Sequence, residues 1–135
     1  MAYWLLKTEP SEYSYSDLER EKETVWNGVS NNLALLNLRL IRKGDLAIIY
    51  HTGEEKAAVG IVEIRSEPYA DLKLKNPKLA VVDIKAKRKL KRPVTLAEIK
   101  THPKLQAFDL LRIPRLSVVP VSQEIWTILM DLSKK

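Results

Sequence analysis

The chain has 135 residues, of which 45% are hydrophobic and 30% charged, and this balance predicts one globular domain over residues 1–135. It contains no cysteine, which excludes disulfides, zinc–thiolate sites, iron–sulfur clusters and a cysteine nucleophile, and we expect no metal and no cofactor. A net charge of +6 fits a polyanionic partner such as nucleic acid as well as it fits an ordinary solvated surface.

The N-terminal residues predict a strand and then a short helix. Residues 2–7 are apolar and aromatic and predict the first strand. They lack the basic leader of a signal peptide, so we expect a cytoplasmic protein that does not bind membranes. Ser14 and Asp17 have the spacing of a capping box, which predicts a helix over about residues 15–21.

A second helix is predicted after residue 30. Asn31 or Asn32 can cap its first turn. Its apolar positions recur at helical spacing; they are Leu35, Leu38 and Ile41. Arg42 and Lys43 suit the negative end of the helix dipole in a last turn, and Gly44 can end the helix.

Four further strands are predicted along the rest of the chain. Residues 45–52 and 57–65 are apolar runs joined by a glycine-containing turn, which indicates a hairpin. Residues 79–87 alternate between apolar and charged side chains, as a half-buried strand does. Residues 116–121 predict a last strand, in which Pro120 indicates an edge or a bulge.

Two more helix starts follow the same capping logic. Thr95 and Glu98 form a capping box for a short helix that Pro103 ends. Ser122 can cap a C-terminal helix. The buried stripe of that helix is predicted to be Ile125, Ile128, Leu129 and Leu132. Short strands mixed with short helices predict an α+β domain on a small barrel or strongly curled sheet.

The segment around Trp26 is the first candidate site. We expect Trp26 in a polar loop between two helices, where so large a ring either plugs the core or walls a pocket. Gly28 permits close backbone approach, and Asn31 and Asn32 offer hydrogen-bond donors and acceptors. A flat aromatic ring with amides nearby suits a nucleobase.

The end of the first strand is a second candidate. Lys7, Thr8 and Glu9 place a cation, a hydroxyl and a carboxylate there, before Pro10 stiffens the chain. These groups could recognise a ligand at the mouth of the sheet. An internal Lys7–Glu9 pair at a solvated strand end is the alternative.

Clustered cations are the third candidate. Six of them fall within eight residues; they are Lys85, Lys87, Arg88, Lys89, Lys91 and Arg92. Three more precede them; they are Lys73, Lys75 and Lys78. Such clustering favours contact with phosphates. Arg112 and Arg115 lie in a later turn and could clamp a phosphate or pair with acidic neighbours.

An enzyme is not expected. Ser117 and His51 could be imagined in a triad with Asp45 or Asp83, but no serine has the surroundings of a nucleophile elbow. Glycine-rich nucleotide loops are also missing, because the four glycines do not have the required spacing. A strand-end histidine such as His51 is more often a hydrogen-bonded structural residue.

Taken in order, these segments resemble the EVE domain family. The resemblance is carried by Trp-Leu-Leu-Lys-Thr-Glu-Pro at residues 4–10 and by Trp-Asn-Gly-Val at residues 26–29. Further matching stretches span nearly the whole chain; they are residues 15–18, 38–39, 44–46, 50–51, 59–61, 82–84, 93–96 and 115–118, with Val121 and Trp126.

The resemblance implies a PUA-like fold, a small curled barrel of five to six strands with short flanking helices. It also implies a non-catalytic module that holds one modified base of DNA or RNA in an aromatic-lined pocket. The implied base-binding residues are Trp4, Lys7, Thr8, Trp26, Gly28, Val29, Asn31, Tyr50, His51 and Ser117. We expect a monomer, with a separate effector enzyme as a candidate partner. The alternative is a general single-stranded RNA-binding module that uses the basic run without a base pocket.

The chain departs from the family pattern directly after residue 29. Family members usually continue with Arg-Asn and an aromatic residue, and then with an Ala-Arg pair. Here Ser30, Asn31 and Asn32 stand in the first place, and Ala34 and Leu35 in the second. Because a serine cannot replace the fork of an arginine, we expect phosphate contacts to come from the cations at residues 85–92.

Overall fold

The computed structural model describes residues 1–71 and 79–135. Its strands are β1 Tyr3–Thr8, β2 Glu23–Trp26, β3 Leu46–His51, β4 Ala57–Ile64, β5 Tyr69–Ala70, β6 Ala80–Thr95 and β7 Val118–Val121. Its helices are α1 Tyr15–Glu21, α2 Asn32–Leu40, α3 Leu96–Thr101, α4 Asp109–Arg112 and α5 Gln123–Ser133, with a 3₁₀ helix at Pro103–Leu105. Lys73, Lys75 and Lys78 lie outside the described residues.

The described strands form one mixed sheet in the order β2-β6-β4-β3-β1-β7, and β5 pairs with the first two residues of β6, Ala80 and Val81. β1 runs parallel to β3 and antiparallel to β7, and the other pairs are antiparallel. In this part of the chain β2 and β7 end the sheet without pairing to each other, so the sheet is curled but open. The described sheet has seven strands instead of the expected five or six, because β2 and β5 are too short to be identified from the sequence pattern.

β6 gives the sheet its curl. It has 16 residues, and its register with β4 shifts twice, between Ala58 and Gly60 and between Ile61 and Val62. Such irregularities bend a strand and increase its twist. At the bend Gly60 faces the ring of Tyr15, whose hydroxyl donates to the Ile61 carbonyl at 2.7 Å. α1 is thereby anchored against β4.

The capped helices start where the sequence predicts. Ser14 and Asp17 form both hydrogen bonds of a capping box, and so do Thr95 and Glu98. Asn31 caps α2 by accepting from the Ala34 amide at 3.1 Å. These bonds join residues three apart, so the local sequence determines them.

The predicted end of the second helix was wrong. α2 ends at Leu40, and Arg42 and Lys43 follow it in a turn instead of forming its last turn. The Arg42 amide donates to Asp45 at 2.9 Å, which holds the backbone in that turn. The Arg42 guanidinium still meets the end of the helix, because it donates to the carbonyls of Arg39 and Ile41.

The loop predicted around Trp26 was also wrong, because Trp26 is the last residue of β2. Trp26 is opposite Val82 of β6, and Glu23 is opposite Lys85. β6 also runs eight residues beyond the predicted end at residue 87. It continues because Leu90 and Val94 are buried on its inner side, which anchors the basic stretch to the core.

The C-terminal helix packs on the sheet as predicted, with one addition. Leu129 is fully buried, and the other three predicted positions pack against the core. Trp126 was not in the predicted stripe, yet it stacks on Tyr3 with ring centroids 4.4 Å apart. Within residues 1–71 and 79–135, no helix is long and apolar enough to cross a membrane. The expected cytoplasmic location stays a prediction.

Candidate functional site

A cleft of about 440 Å³ opens where β1 and β2 end, and we call it the Trp26 cleft. Its walls come from the end of β1, from the connection between β1 and α1, and from β2 with the two residues after it. The lining residues are Lys7, Thr8, Glu9, Glu12, Tyr13, Thr24, Val25, Trp26, Asn27 and Gly28. The two segments that the sequence singled out, residues 7–10 and 26–28, therefore meet at one site.

The aromatic wall consists of two rings. Trp26 is 7% exposed, so most of its ring belongs to the core and the remainder faces the cleft. The ring of Tyr13 meets Trp26 edge to face, with centroids 6.3 Å apart and planes at 74°. Burial, followed by the hydrogen bond that its hydroxyl donates to Glu21, raises the pKa of Tyr13 to about 12. Tyr13 is thus a neutral, fixed wall at neutral pH.

Apart from Val25 and Gly28, the remaining groups around the cleft are polar. Glu9 accepts from the amide and hydroxyl of Ser11 at 3.3 and 3.2 Å. Thr8 donates its hydroxyl to the Tyr13 carbonyl at 2.7 Å, which ties the end of β1 to the loop that carries Tyr13. Glu12 and Asn27 are exposed, and no described residue bonds to their side chains. The cleft offers carboxylates and an amide beside an aromatic wall, which suits a flat heterocycle with N–H donors on its edge.

Gly28 has a φ of +81°, a conformation that other residues adopt at a cost, and a Cβ there would meet nothing within 4 Å. The chain leaves the cleft after this residue. Val29 is buried in the core, and the side-chain oxygen of Asn31 caps α2. Neither residue lines the Trp26 cleft, so the structure does not bring these two candidates to it.

Lys7 lies between the Trp26 cleft and a smaller cleft, which we call the Lys56 cleft. The Lys56 cleft has a volume of about 170 Å³ and is lined by Lys7, Tyr50, Thr52, Gly53, Lys56, Leu96, Leu110 and Pro114. The Lys7 ammonium donates to the Pro114 carbonyl at 2.7 Å and lies 5.9 Å from the centre of the Tyr50 ring. Burial lowers the pKa of Lys7 and raises that of Tyr50. Lys7 makes no hydrogen bond to Glu9 among the described contacts.

Trp4 is a structural residue. It is 5% exposed, and its indole Nε1 donates to Asp45 at 3.0 Å within the core. The other oxygen of Asp45 accepts from the Ala2 amide at 3.0 Å. The candidate Trp4 therefore lies away from the Trp26 cleft, where it joins β1 to the turn before β3.

His51 and Ser117 also lie outside the lining of the Trp26 cleft. His51 Nε2 accepts from the Tyr15 amide at 3.0 Å, and Nδ1 lies 2.9 Å from Glu55, so both ring nitrogens are used. Ser117 accepts from the Lys7 amide through its carbonyl at 3.0 Å. The imagined triad is not assembled, since Asp45 faces three other donors and Asp83 accepts from the Tyr69 hydroxyl. Across the described part of the chain, no three His, Asp or Glu side chains are placed to hold a metal ion.

Five cations of the basic run have no acidic partner in the described chain, and the sixth is paired. Its members at 85, 87, 88, 89 and 91 are exposed, and none contacts a carboxylate within the described chain. Arg92 instead makes a two-armed pair with Glu98 at 2.8 and 2.7 Å and donates to the Leu132 carbonyl. Arg112 pairs with Asp109 at 3.2 Å, whereas Arg115 is exposed beside Pro114. Arg92 and Arg112 are thus engaged inside the molecule.

Six lining residues of the Trp26 cleft were not among the predicted base-binding residues; they are Glu9, Glu12, Tyr13, Thr24, Val25 and Asn27. Thr24 and Val25 reach the cleft only because residues 23–26 pair with β6, far away in sequence. For Tyr13 the one usable signal was an aromatic residue within the polar stretch that follows β1.

The model of the EVE domain family matches residues 2–132. Thymocyte nuclear protein 1 from Gallus gallus is 32% identical over 98% of this chain and 69% of its own length. A solved structure from Rhodopseudomonas palustris is 41% identical, with a TM-score of 0.93 over 99% of this chain and 94% of its own. The human THYN1 protein, solved in complex with DNA that contains 5-methylcytosine, is 29% identical, with a TM-score of 0.92 over 100% and 99%.

A more distant structure agrees in fold alone. An ASCH protein from Zymomonas mobilis is 11% identical, with a TM-score of 0.62 over 97% of this chain and 95% of its own. The predicted α+β, PUA-like class is thus confirmed, with a sheet that is curled but not closed.

Proposed function

The chain belongs to the EVE domain family, and on that premise we propose that it is a non-catalytic module that binds one modified nucleobase of a nucleic acid in the Trp26 cleft. The observation that carries the proposal is the cleft itself, where Trp26 and Tyr13 stand beside carboxylates and an amide. The human relative, solved with DNA that contains 5-methylcytosine, supports DNA as the ligand. We therefore propose 5-methylcytosine as the base to test first.

The polar groups of the cleft favour a base with an exocyclic amino group. Carboxylates accept hydrogen bonds from the amino group of cytosine, whereas they repel the carbonyl oxygens of thymine or uracil. Glu9 and Glu12 are on the cleft wall, and Asn27 supplies both a donor and an acceptor.

The aromatic wall supplies the non-polar part of the binding energy. Contact between a base and an aromatic side chain contributes about 1–3 kcal/mol. Removal of the mostly buried Trp26 ring would itself cost the fold about 3–5 kcal/mol, because it would leave a cavity in the core. The exposed cleft residues Glu12 and Asn27 are therefore better positions for testing the site.

A general single-stranded RNA-binding module is the second candidate function. The observation that favours it is the set of five exposed β6 cations without acidic partners in the described chain. In that case the phosphates alone would determine affinity, which would fall steeply with salt for every strand alike.

A binding titration distinguishes the two functions. Short DNA and RNA strands with one plain or modified cytosine or adenine are titrated at two salt concentrations. We expect modification-dependent binding that persists at the higher salt. Asn27→Ala should reduce the preference for the modified strand by about fivefold, the effect of one lost hydrogen bond. The matched control Asn32→Ala, an exposed position outside the cleft lining, should not change it.

Lys87→Ala reports on the alternative. If the base pocket operates, this variant weakens binding to plain and modified strands by the same factor. Equal binding of all strands by the native chain, with sensitivity to Lys87 and none to Asn27, would refute the pocket and support the RNA-binding module.

A further inference from the structure

The Lys56 cleft adjoins the Trp26 cleft at Lys7. Lys7 lines both clefts, so a ligand bound in one cleft lies close to the opening of the other. Its ammonium has three donors and gives one of them to the Pro114 carbonyl, which leaves two for a ligand. Because Lys7 is half-buried, its charge is less screened than that of an exposed lysine.

The chemistry of the Lys56 cleft differs from that of the Trp26 cleft. Its lining has two cations, Lys7 and Lys56, and the hydroxyl of Thr52, which faces the Thr8 carbonyl at 3.3 Å and a Glu9 oxygen at 3.5 Å. Glu55 already faces His51, and the Glu9 carboxylate lies beside Gly53 at the border of the two clefts. With two ammonium groups against this one carboxylate, the Lys56 cleft suits an anion, whereas the Trp26 cleft, with Glu9 and Glu12, suits a group with N–H donors.

The backbone holds Lys56 in an unusual conformation. Its φ is +47°, in the left-handed region that a residue with a long side chain rarely adopts. The Lys56 carbonyl accepts from the Leu96 amide at 2.8 Å, which fixes the residue there. Its ammonium is exposed and meets no carboxylate of the described chain. The position presents an unpaired cation at the cleft although glycine or asparagine would fit the backbone better.

The basic run of β6 is poorly placed for the same task. Trp26 is opposite Val82, whereas the run starts opposite Glu23 and continues away from the Trp26 end of β2. At about 3.3 Å per residue, Lys87 and Lys91 lie roughly 16 and 30 Å along the strand from Val82. Only one sugar separates a base from its own phosphate, so these cations contact more distant parts of a strand.

We propose that the Lys56 cleft binds the phosphate of the nucleotide whose base occupies the Trp26 cleft, with Lys7 between the two groups. The inference rests on the proposed function, since it takes the base site as given. The Lys7 and Lys56 ammonium groups contact this phosphate, and the β6 cations attract the rest of the strand. Base and phosphate of one nucleotide are then held at two adjacent sites.

The test combines a charge-removing variant with a charge-removing ligand. Lys56→Asn removes the ammonium and retains a residue that tolerates a left-handed backbone. The ligand is a single strand with one 5-methylcytosine, either with natural linkages or with neutral methylphosphonate linkages on both sides of that nucleotide. Lys104→Asn, at an exposed lysine outside the lining of both clefts, is the matched control, and Lys56→Arg tests rescue by charge.

We expect Lys56→Asn to weaken binding of plain and methylated strands equally and to make the slope of log K against log salt shallower by about 0.7. The neutral linkages should weaken binding by the native chain and by Lys104→Asn, and they should weaken binding by Lys56→Asn less, because only Lys7 then still contacts the phosphate. Lys56→Arg should restore both effects. If Lys56→Asn behaves like Lys104→Asn and the native chain still prefers the methylated strand, the phosphate site is refuted and the base site is not. Equal binding of both strands by the native chain would instead refute the base site.

Discussion

Replacement of Asp45 with asparagine is expected to destabilise the fold without altering the Trp26 cleft. Asp45 is 4% exposed and accepts three hydrogen bonds. One oxygen accepts from the Ala2 amide at 3.0 Å, and the other accepts from the Trp4 indole at 3.0 Å and the Arg42 amide at 2.9 Å. The carboxylate thus joins the start of β1 to the turn between α2 and β3.

The magnitude follows from the number of donors. Asparagine has the same shape but only one acceptor oxygen. In its better orientation that oxygen serves Trp4 and Arg42, and the NH₂ group is left facing the Ala2 amide. One unmatched donor costs about 1–3 kcal/mol, and the other two bonds lose the strength that the charge gave them. We therefore expect a loss of about 2–4 kcal/mol from a total stability on the order of 5–15 kcal/mol.

Urea denaturation, followed by tryptophan fluorescence, measures this loss. Asp131→Asn, an exposed position on α5, is the control and should change the free energy of unfolding by less than about 0.5 kcal/mol. Trp4→Phe removes one donor, and because the two residues share a bond, the double variant should lose less than the sum of the single losses. A stability of Asp45→Asn equal to that of the control, or additive losses, would refute this reasoning.

Two further predictions concern α1 and α3. In Gly60→Ala the new Cβ would overlap the buried Tyr15 ring, so we expect overpacking to reduce the free energy of unfolding by about 1–3 kcal/mol in urea denaturation. Unchanged stability would contradict the packing of α1 on β4. The hydrogen bond from Arg92 holds the pKa of Glu98 at about 2, below the 4.5 of the unfolded chain, so this pair stabilises the fold above pH 4.5 and loses its effect as the pH falls towards 2. Acid titrations followed by circular dichroism should show the stability difference between the native chain and Glu98→Gln shrinking over that range. The exposed control Glu54→Gln should show no comparable change. A constant difference for Glu98→Gln would contradict the pairing.

The sequence predicted best those features that residues close together determine. The caps at Ser14 and Thr95 depend on hydrogen bonds across three residues, and both were confirmed. The strand that carries Trp26 was missed, because four residues have too little pattern to identify a strand without knowledge of the partner β6. The end of α2 was missed for a similar reason, since Asp45 draws the Arg42 amide out of the helix.

The candidate site was predictable in part. Lys7, Thr8, Trp26 and Gly28 line one cleft because two segments identified by their polar and aromatic character meet there. Trp4 could not be told from a pocket residue, since its indole partner Asp45 is 41 residues away in the chain. Charge counting likewise could not reveal that Glu98 binds Arg92. Long-range partners, more than residue type, determine which polar groups remain free for a ligand.

The three indole N–H signals in a ¹H–¹⁵N correlation spectrum test the base site most directly. Trp26 faces the cleft, whereas Trp4 is bonded to Asp45 and Trp126 stacks on Tyr3, so these two are internal controls. On titration with a short strand that contains 5-methylcytosine, we predict that the Trp26 signal shifts and the other two do not, with a smaller shift for plain cytosine. If the strand binds and the Trp26 signal does not change, the result would contradict a base in the Trp26 cleft.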